Sequence, residues 1–81
     1  MPYITQDRRQ ALTPLFYPMS AGELNFAITS LVLRYLEQRG SRYEVYNEIV
    51  GVLECAKLEF YRRAVITYEN EKMQQNGDVY P

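Results

Sequence analysis

Two pairs of adjacent arginines, each with a tyrosine nearby, are the residues of this sequence best suited to bind a ligand. They are Arg8-Arg9 with Tyr3, and Arg62-Arg63 with Tyr61. A guanidinium group grips phosphate through paired hydrogen bonds, and an aromatic ring stacks on a base. Where such pairs meet across a subunit boundary they build one anionic-ligand pocket. The predicted ligand-binding residues are Arg8, Arg9, Tyr61, Arg62 and Arg63.

Ordinary surface pairing is the alternative explanation of these arginines. Glu59 precedes Arg62 by three residues and Arg63 by four, and Glu54 precedes Lys57 by three. Pairs at these helical spacings stabilise an exposed helix by about 0.2–0.5 kcal/mol each. Most of the charge in this part of the chain is therefore expected to form a solvated helix face.

The residue types that catalysis normally requires are missing. The sequence contains no histidine, which is the commonest general base and metal ligand. Cys55, the only cysteine, lies between apolar residues and is expected to be a small buried hydrophobe rather than a nucleophile. There is no G-x-S-x-G motif, P-loop or glycine-rich dinucleotide motif. We therefore expect a protein that is not an enzyme and uses no cofactor.

Metal binding is supported only by a pair of glutamates. Glu44 and Glu48 are spaced i, i+4 and share one helical face. Two carboxylates without histidine make a weak site for a hard cation. No metal site is predicted.

Net charge and hydropathy further restrict the kinds of partner that the chain is expected to bind. The net charge is −1 and the sequence pI is about 5.3, whereas a domain that binds nucleic acid non-specifically is normally basic. No apolar run approaches the roughly 20 residues that cross a bilayer, and the N-terminal MPYITQDRR has no apolar signal-peptide core. We expect a cytoplasmic protein that contacts neither membrane nor non-specific nucleic acid.

The elements that position these residues are predicted to be two main helices in a hairpin. The first occupies residues 20–40, with Ser20 as N-cap, Glu23 completing a capping box and Gly40 as the left-handed terminator. Its apolar stripe comprises Leu24, Ala27, Ile28, Leu31, Tyr35 and Leu36. The second begins with another capping box at Ser41 and Glu44, which leaves almost no loop between the helices.

The second helix, assigned to residues 41–76, is predicted to form a rod about 48 Å long over residues 42–73. One apolar sector is expected to pack on the first helix: Val45, Ile49, Val52, Leu53, Ala56, Phe60 and Ala64. A second stripe lies on another side of the rod: Leu58, Tyr61, Val65 and Tyr68. A lone hairpin covers only one of these faces, so the second stripe predicts a homo-oligomer interface.

Size points to the same assembly. The chain has 81 residues and one cysteine, so it has a marginal core and no intrachain disulfide. The fold class is accordingly all-α: one domain over residues 1–81, with an N-terminal arm (1–19, including a short helix capped by Thr5), two helices and a tail (77–81) that follows Asn76-Gly77. Three consecutive β-branched residues at 65–67 weaken the rod locally.

Composition adds a second kind of partner. There are eight tyrosines and no tryptophan, and seven of the nine basic residues are arginine. Tyrosine and arginine are enriched where protein surfaces bind partners. Tyrosines that fill half-buried core positions explain the same bias equally well.

Three sequence blocks carry a resemblance: GELNFAITSLVLRYLEQRG, NEIVGVLECAKLEFYRR and the closing NGDVY. At these blocks the chain resembles a small uncharacterised protein family of bacteria, archaea and phages. The resemblance implies no catalytic or binding residues. It implies a context in which small phage proteins bind a host component from within the host cytoplasm.

Two functions follow as hypotheses. In the first, a non-catalytic oligomer sequesters a phosphate-bearing, cyclic nucleotide signal at Arg/Tyr sites between subunits, as a phage counter-defence protein. In the second, the Tyr/Arg-rich surface binds a host or partner protein, as an inhibitor or adaptor. The predicted partners are other copies of the chain together with either a nucleotide or a host protein.

Overall fold

A computed structural model describes residues 3–12 and 17–81, and throughout these residues the regular elements are helices. The elements in chain order are α1 (Gln6–Ala11), α2 (Ala21–Arg39), α3 (Tyr43–Phe60), a π-helical segment (Tyr61–Val65) and α4 (Ile66–Asn76). This confirms the predicted all-α class with two long helical stretches. The predicted path of the arm between α1 and α2 lies partly outside the described residues, at positions 13–16.

The two helix starts in the N-terminal part follow the predicted capping residues. The Thr5 side chain accepts a hydrogen bond from the backbone N–H of Arg8, and α1 begins one residue after this cap. At α2 the Ser20 hydroxyl accepts from the N–H of Glu23 at 3.1 Å. The Glu23 carboxylate accepts a hydrogen bond from the N–H of Met19, one residue before the cap, at 2.8 Å. Backbone donors on both sides of Ser20 are thus satisfied.

The turn between α2 and α3 is as short as predicted, but its second capping box is absent. Gly40 has φ 96° and ψ 152°, a conformation that residues with a Cβ rarely adopt. The N-cap of α3 is Arg42, without a side-chain cap bond, so the assignment to Ser41 and Glu44 was wrong. The helix starts one residue later than predicted, at Tyr43, and the Glu44 carboxylate pairs instead with the Arg42 guanidinium at 3.3 Å.

The second helical stretch runs from Tyr43 to Asn76 and changes type in the middle. The N–H of Ile66 donates to the carbonyl of Tyr61, the i to i−5 bond of a π-helix. Ile66 also lies within the β-branched run, whose side chains crowd the preceding turn, and a wider turn gives them room. The predicted weak point therefore alters the helix without ending it. Gly77, with φ 86°, ends the helix as predicted.

The core is very small. Among the described residues Val45 is the only one that is fully buried, and Ile49, one turn further along α3, is half-buried. The Tyr35 hydroxyl links α2 to α3 by donating to Glu48 at 2.7 Å. Phe60 and Ala64, at the far end of the sector predicted to pack on α2, are exposed. The predicted helix pairing is therefore present near the turn and wrong at Phe60.

The folded chain is far less compact than a typical domain of its size. Its Cα radius of gyration is 16.8 Å, whereas about 12 Å is usual for 81 residues. Its accessible surface is 7774 Å², whereas a compact monomer of this mass exposes about 5,100 Å². Roughly 2,700 Å² per chain is thus surface that a compact protein of this mass would bury.

Candidate functional site

The π-helical segment contains three of the five residues predicted to bind a ligand. Tyr61, Arg62 and Arg63 are its first three residues. π-helical turns are rare, and they occur frequently at functional sites. The change of helix type and the predicted site therefore coincide, although neither was inferred from the other.

Glu59 organises the charges at the start of this segment. Its carboxylate pairs with the Arg62 guanidinium at 2.9 Å, as the three-residue spacing predicted. It also accepts a hydrogen bond from the Tyr3 hydroxyl, which the N-terminal arm brings from 56 residues away. The Glu59 side chain is 19% exposed and that of Arg62 is 65% exposed. The arm is thus attached to the end of α3 through a carboxylate that is itself mostly covered.

The pKa values of the three groups reflect this arrangement. The Tyr3 hydroxyl, and then the Arg62 guanidinium, lower the pKa of Glu59 by hydrogen bonding to its carboxylate. The same bond raises the pKa of the Tyr3 phenol, because ionised Tyr3 would face the Glu59 charge. The hydrogen bond to Glu59 likewise raises the pKa of Arg62. The positive charge of Arg63 also lowers the pKa of both Tyr3 and Glu59, as a smaller contribution.

Beside this cluster lies an open cavity of about 390 Å³. Its lining residues are Cys55, Leu58, Glu59, Tyr61, Arg62 and Ile66. An apolar wall with a few convergent polar groups is the usual character of a small-molecule site. The arrangement can accept an anionic group at Arg62 and a flat or apolar group against Leu58 and Tyr61.

The cavity also shows how the π turn changes the predicted second stripe. Ile66 lies with Leu58 and Tyr61 in the cavity lining, whereas a regular helix would align Val65 with them. Val65 is instead half-buried. A π turn adds one residue to the repeat, so the positions beyond it are shifted. Tyr68, further along the stripe, is exposed and carries the Lys72 ammonium over its ring at 5.5 Å.

The first arginine pair occupies a different place. Arg8 and Arg9 form the exposed last turn of α1, and Arg9 Nε donates to the carbonyl of Ile4 at 2.8 Å. The arm residue that reaches the second arginine pair is Tyr3. From the sequence, Tyr3 was predicted only to lie near Arg8 and Arg9. No local spacing signals a contact between residues so far apart in the chain.

Cys55 and the glutamate pair Glu44 and Glu48 are the remaining candidate residues for catalysis or metal binding. Cys55, expected to be buried, is exposed. Glu44 pairs with Arg42, and Glu48 accepts from Tyr35. Within residues 3–12 and 17–81 no three Asp, Glu, Cys or His side chains are grouped as metal ligands. In the same part of the chain, no helix combines the length and apolar character needed to cross a membrane.

Comparison with known protein families finds a match over nearly the whole chain. The family described as domain of unknown function DUF6899 matches residues 1–79. The chain therefore belongs to this family. No curated protein and no solved structure matches the chain.

Proposed function

We propose that this member of the DUF6899 family is a non-catalytic homo-oligomer that binds and sequesters a phosphate-bearing nucleotide. The observation that supports this most directly is the π-helical segment, where Tyr61 and Arg62 line the cavity of about 390 Å³ and Arg63 is the next residue of the segment. The binding residues are Tyr61, Arg62 and Arg63, with Arg8 and Arg9 supplied by the arm of a neighbouring subunit.

Each side chain has a definite task in this proposal. The Arg62 guanidinium holds the phosphate through paired hydrogen bonds, which is the geometry that arginine provides better than lysine. The Tyr61 ring and the Leu58 side chain offer an apolar surface for the base. Arg63 adds a second positive charge. Arg8 is exposed on α1, where a neighbouring subunit can reach it.

The phosphate must displace Glu59 from Arg62. The Arg62 guanidinium is 65% exposed, so solvent weakens its ion pair with Glu59, whereas paired charge-assisted hydrogen bonds to phosphate are among the strong ones. The exchange is therefore favourable. Glu59 retains its bond from Tyr3, so the carboxylate is not left without a partner.

The chemistry of the site supports sequestration rather than turnover. The chain has no histidine, and the side chains that line the cavity offer Glu59 as the proton acceptor. The pKa of that carboxyl is lowered by its partners, which makes it a weaker base. A small phage protein with such a site would act in counter-defence by removing a cyclic nucleotide signal from solution.

Calorimetric titration with cyclic and linear nucleotides tests the proposal. We expect at least one nucleotide to bind with a fixed ratio per subunit, and Arg62→Gln with Arg63→Gln to abolish the heat. The matched control is Arg39→Gln with Arg42→Gln, which removes the same charge about 27 Å away at the other end of α3. Absence of heat from every nucleotide, or equal loss in both double variants, would refute the site.

Protein binding is the second candidate, and the exposed aromatic side chains favour it. Tyr17, Phe26, Tyr43 and Tyr80 are each at least 74% exposed. Aromatic residues of this kind are typical anchors at protein interfaces. In this alternative the chain binds a host or partner protein, as an inhibitor or an adaptor. Recovery of one stoichiometric protein partner from host lysate, by a chain that binds no nucleotide, would favour it over sequestration.

A further inference from the structure

An apolar cleft opens between α2 and α3, on a different part of the molecule from the arginine site. Its volume is about 320 Å³. The lining residues are Leu31, Val32, Tyr35, Ile49, Val52 and Leu53. Every one is apolar or aromatic, and Leu31 and Val52 are 66% and 60% exposed. The chain therefore leaves apolar side chains accessible between its two long helices.

The turn defines the closed end of this cleft. Val45 is fully buried close to the turn, and the Tyr35 hydroxyl bridges to Glu48 there. The Arg39 guanidinium lies 5.2 Å from the centre of the Tyr35 ring on the same helix. An occupant must therefore enter from the open end or the side. A helix satisfies its own backbone groups and presents an apolar stripe, so it suits such a cleft.

The area of exposed surface identifies the occupant. The chain exposes roughly 2,700 Å² beyond the surface of a compact monomer of its mass. Obligate dimers bury about 2,000–5,000 Å² in total, or roughly 1,000–2,500 Å² from each chain. The excess thus matches or exceeds one obligate interface. A short peptide or a small molecule covers too little of it.

We infer that the α2–α3 cleft receives α2 or α3 of a second copy, so that two hairpins close into one helical bundle. The inference rests on the homo-oligomer of the proposed function, and not on its ligand. It places the principal contact between copies on the cleft residues, in addition to the stripe that begins at Leu58. The occupant is another copy because an identical hairpin brings an equal apolar face to be covered.

Thiol labelling at two nearby valines tests the inference. Val52 lines the cleft, whereas Val50 lies about 160° away around α3 and is absent from the lining. In the single chain they are 60% and 66% exposed, so they would react at similar rates. Val52→Cys and Val50→Cys are each made with Cys55→Ser, so that each variant has one thiol. Valine to cysteine is a small change, which keeps the fold intact.

The experiment measures the rate of maleimide labelling as a function of protein concentration. At high concentration we expect Val52→Cys to react slower than Val50→Cys by about tenfold or more, because labelling then requires dissociation or local opening. On dilution the two rates should converge. Equal rates in an assembled protein would show that the cleft is not the contact between copies, although the protein is an oligomer. Slow labelling of Val52→Cys in a 9.6 kDa species would mean that the cleft is covered by a segment of the same chain, which also contradicts the inference.

A charge substitution provides an independent check. Val52→Asp should lower the mass of the assembly, because a carboxylate would be buried without a partner. Val50→Asp should leave the mass unchanged. Retention of full mass by Val52→Asp, or the same loss in both variants, would contradict the inference. Should Val52→Asp be unfolded, the labelling rates of the cysteine variants decide the matter.

Discussion

Glu59 is the residue on which the N-terminal arm and the arginine site both depend. Its carboxylate accepts from Tyr3 and pairs with Arg62. The spacing of Glu59 and Arg62 on one helix made their pairing predictable. The bond from Tyr3 was not predictable, because nothing in a local pattern specifies which carboxylate a distant tyrosine will meet. At this scale sequence predicts contacts within a helix far better than contacts between segments.

The pH dependence of the arm contact follows from two pKa shifts. The pKa of Glu59 is lowered from 4.5, so its contribution is present above that value and is lost as the pH falls through the folded pKa. The pKa of Tyr3 is raised from 10.0, so its contribution is present below that value and is lost as the pH rises through the folded pKa. The arm contact should therefore hold between these limits.

Spectroscopic titration measures both limits. In the difference between wild type and Tyr3→Phe at 295 nm, one phenol should titrate above 10.0. Carboxyl carbon NMR should place Glu59 below 4.5 and show its pKa move upward in Tyr3→Phe, because the largest cause of the lowering is removed. Tyr35, which donates to Glu48, serves as the control and should be unaffected. An unchanged Glu59 pKa in Tyr3→Phe would contradict the contact.

Removal of the competing carboxylate should strengthen anion binding. Glu59→Gln frees Arg62 from its ion pair and removes a negative charge beside the ligand, so the affinity for a phosphate-bearing ligand should rise, by up to about fivefold. Glu54→Gln is the matched control, because it removes a carboxylate that pairs with Lys57 at 3.1 Å on the same helix. Calorimetry gives both affinities. Weaker binding by Glu59→Gln, or an equal rise in both variants, would speak against a phosphate at Arg62.

At the scale of elements, glycine and β-branched residues mark the points where the helices change. Gly40 and Gly77 end helices at positive φ, as their positions in the pattern predicted. The β-branched run was recognised as a weak point, but the resulting π turn was not. A helix can respond to local crowding by ending, bending or widening, and hydrophobic periodicity does not distinguish these outcomes. For the same reason the periodicity did not predict that Ile66, rather than Val65, would line the cavity with Leu58 and Tyr61.

Two glycine-to-alanine substitutions should have opposite effects on stability. Gly40→Ala should lower the free energy of unfolding by about 1–3 kcal/mol, because φ 96° is strained for a residue with a Cβ. Gly51→Ala should raise it by about 0.5–1 kcal/mol, because Gly51 lies inside α3 with nothing within 4 Å of an added Cβ.

Urea denaturation at a fixed protein concentration measures both changes, with wild type as the reference. A stabilising Gly40→Ala would contradict the conformation of the turn. A destabilising Gly51→Ala would mean that another copy approaches the backbone of α3 at this point, in place of the open space that the single chain shows.

For the whole molecule, the amount of exposed apolar surface is the dominant fact. The sequence predicted too many apolar faces for one hairpin, and the structure leaves most of them exposed, with Val45 as the only fully buried residue among those described. Sequence periodicity assigns faces to a helix, but it does not determine which neighbour covers each face. The predicted pairing of α3 with α2 was therefore right near Val45 and wrong at Phe60.

In the proposed oligomer, the stability of such a chain comes largely from association. Val45 is the only fully buried side chain among the described residues, and so small a core offsets little of the conformational entropy lost on folding. On our proposal, burial of the remaining apolar surface between copies adds the stabilisation that this core lacks, so we expect folding and assembly to be coupled.

Sedimentation equilibrium over a wide range of protein concentrations tests this account most directly. The account predicts a particle whose mass is an integral multiple of 9.6 kDa, with helical circular dichroism that declines on dilution as the particle dissociates. A helical, cooperatively folded species that remains at 9.6 kDa at every concentration would contradict it.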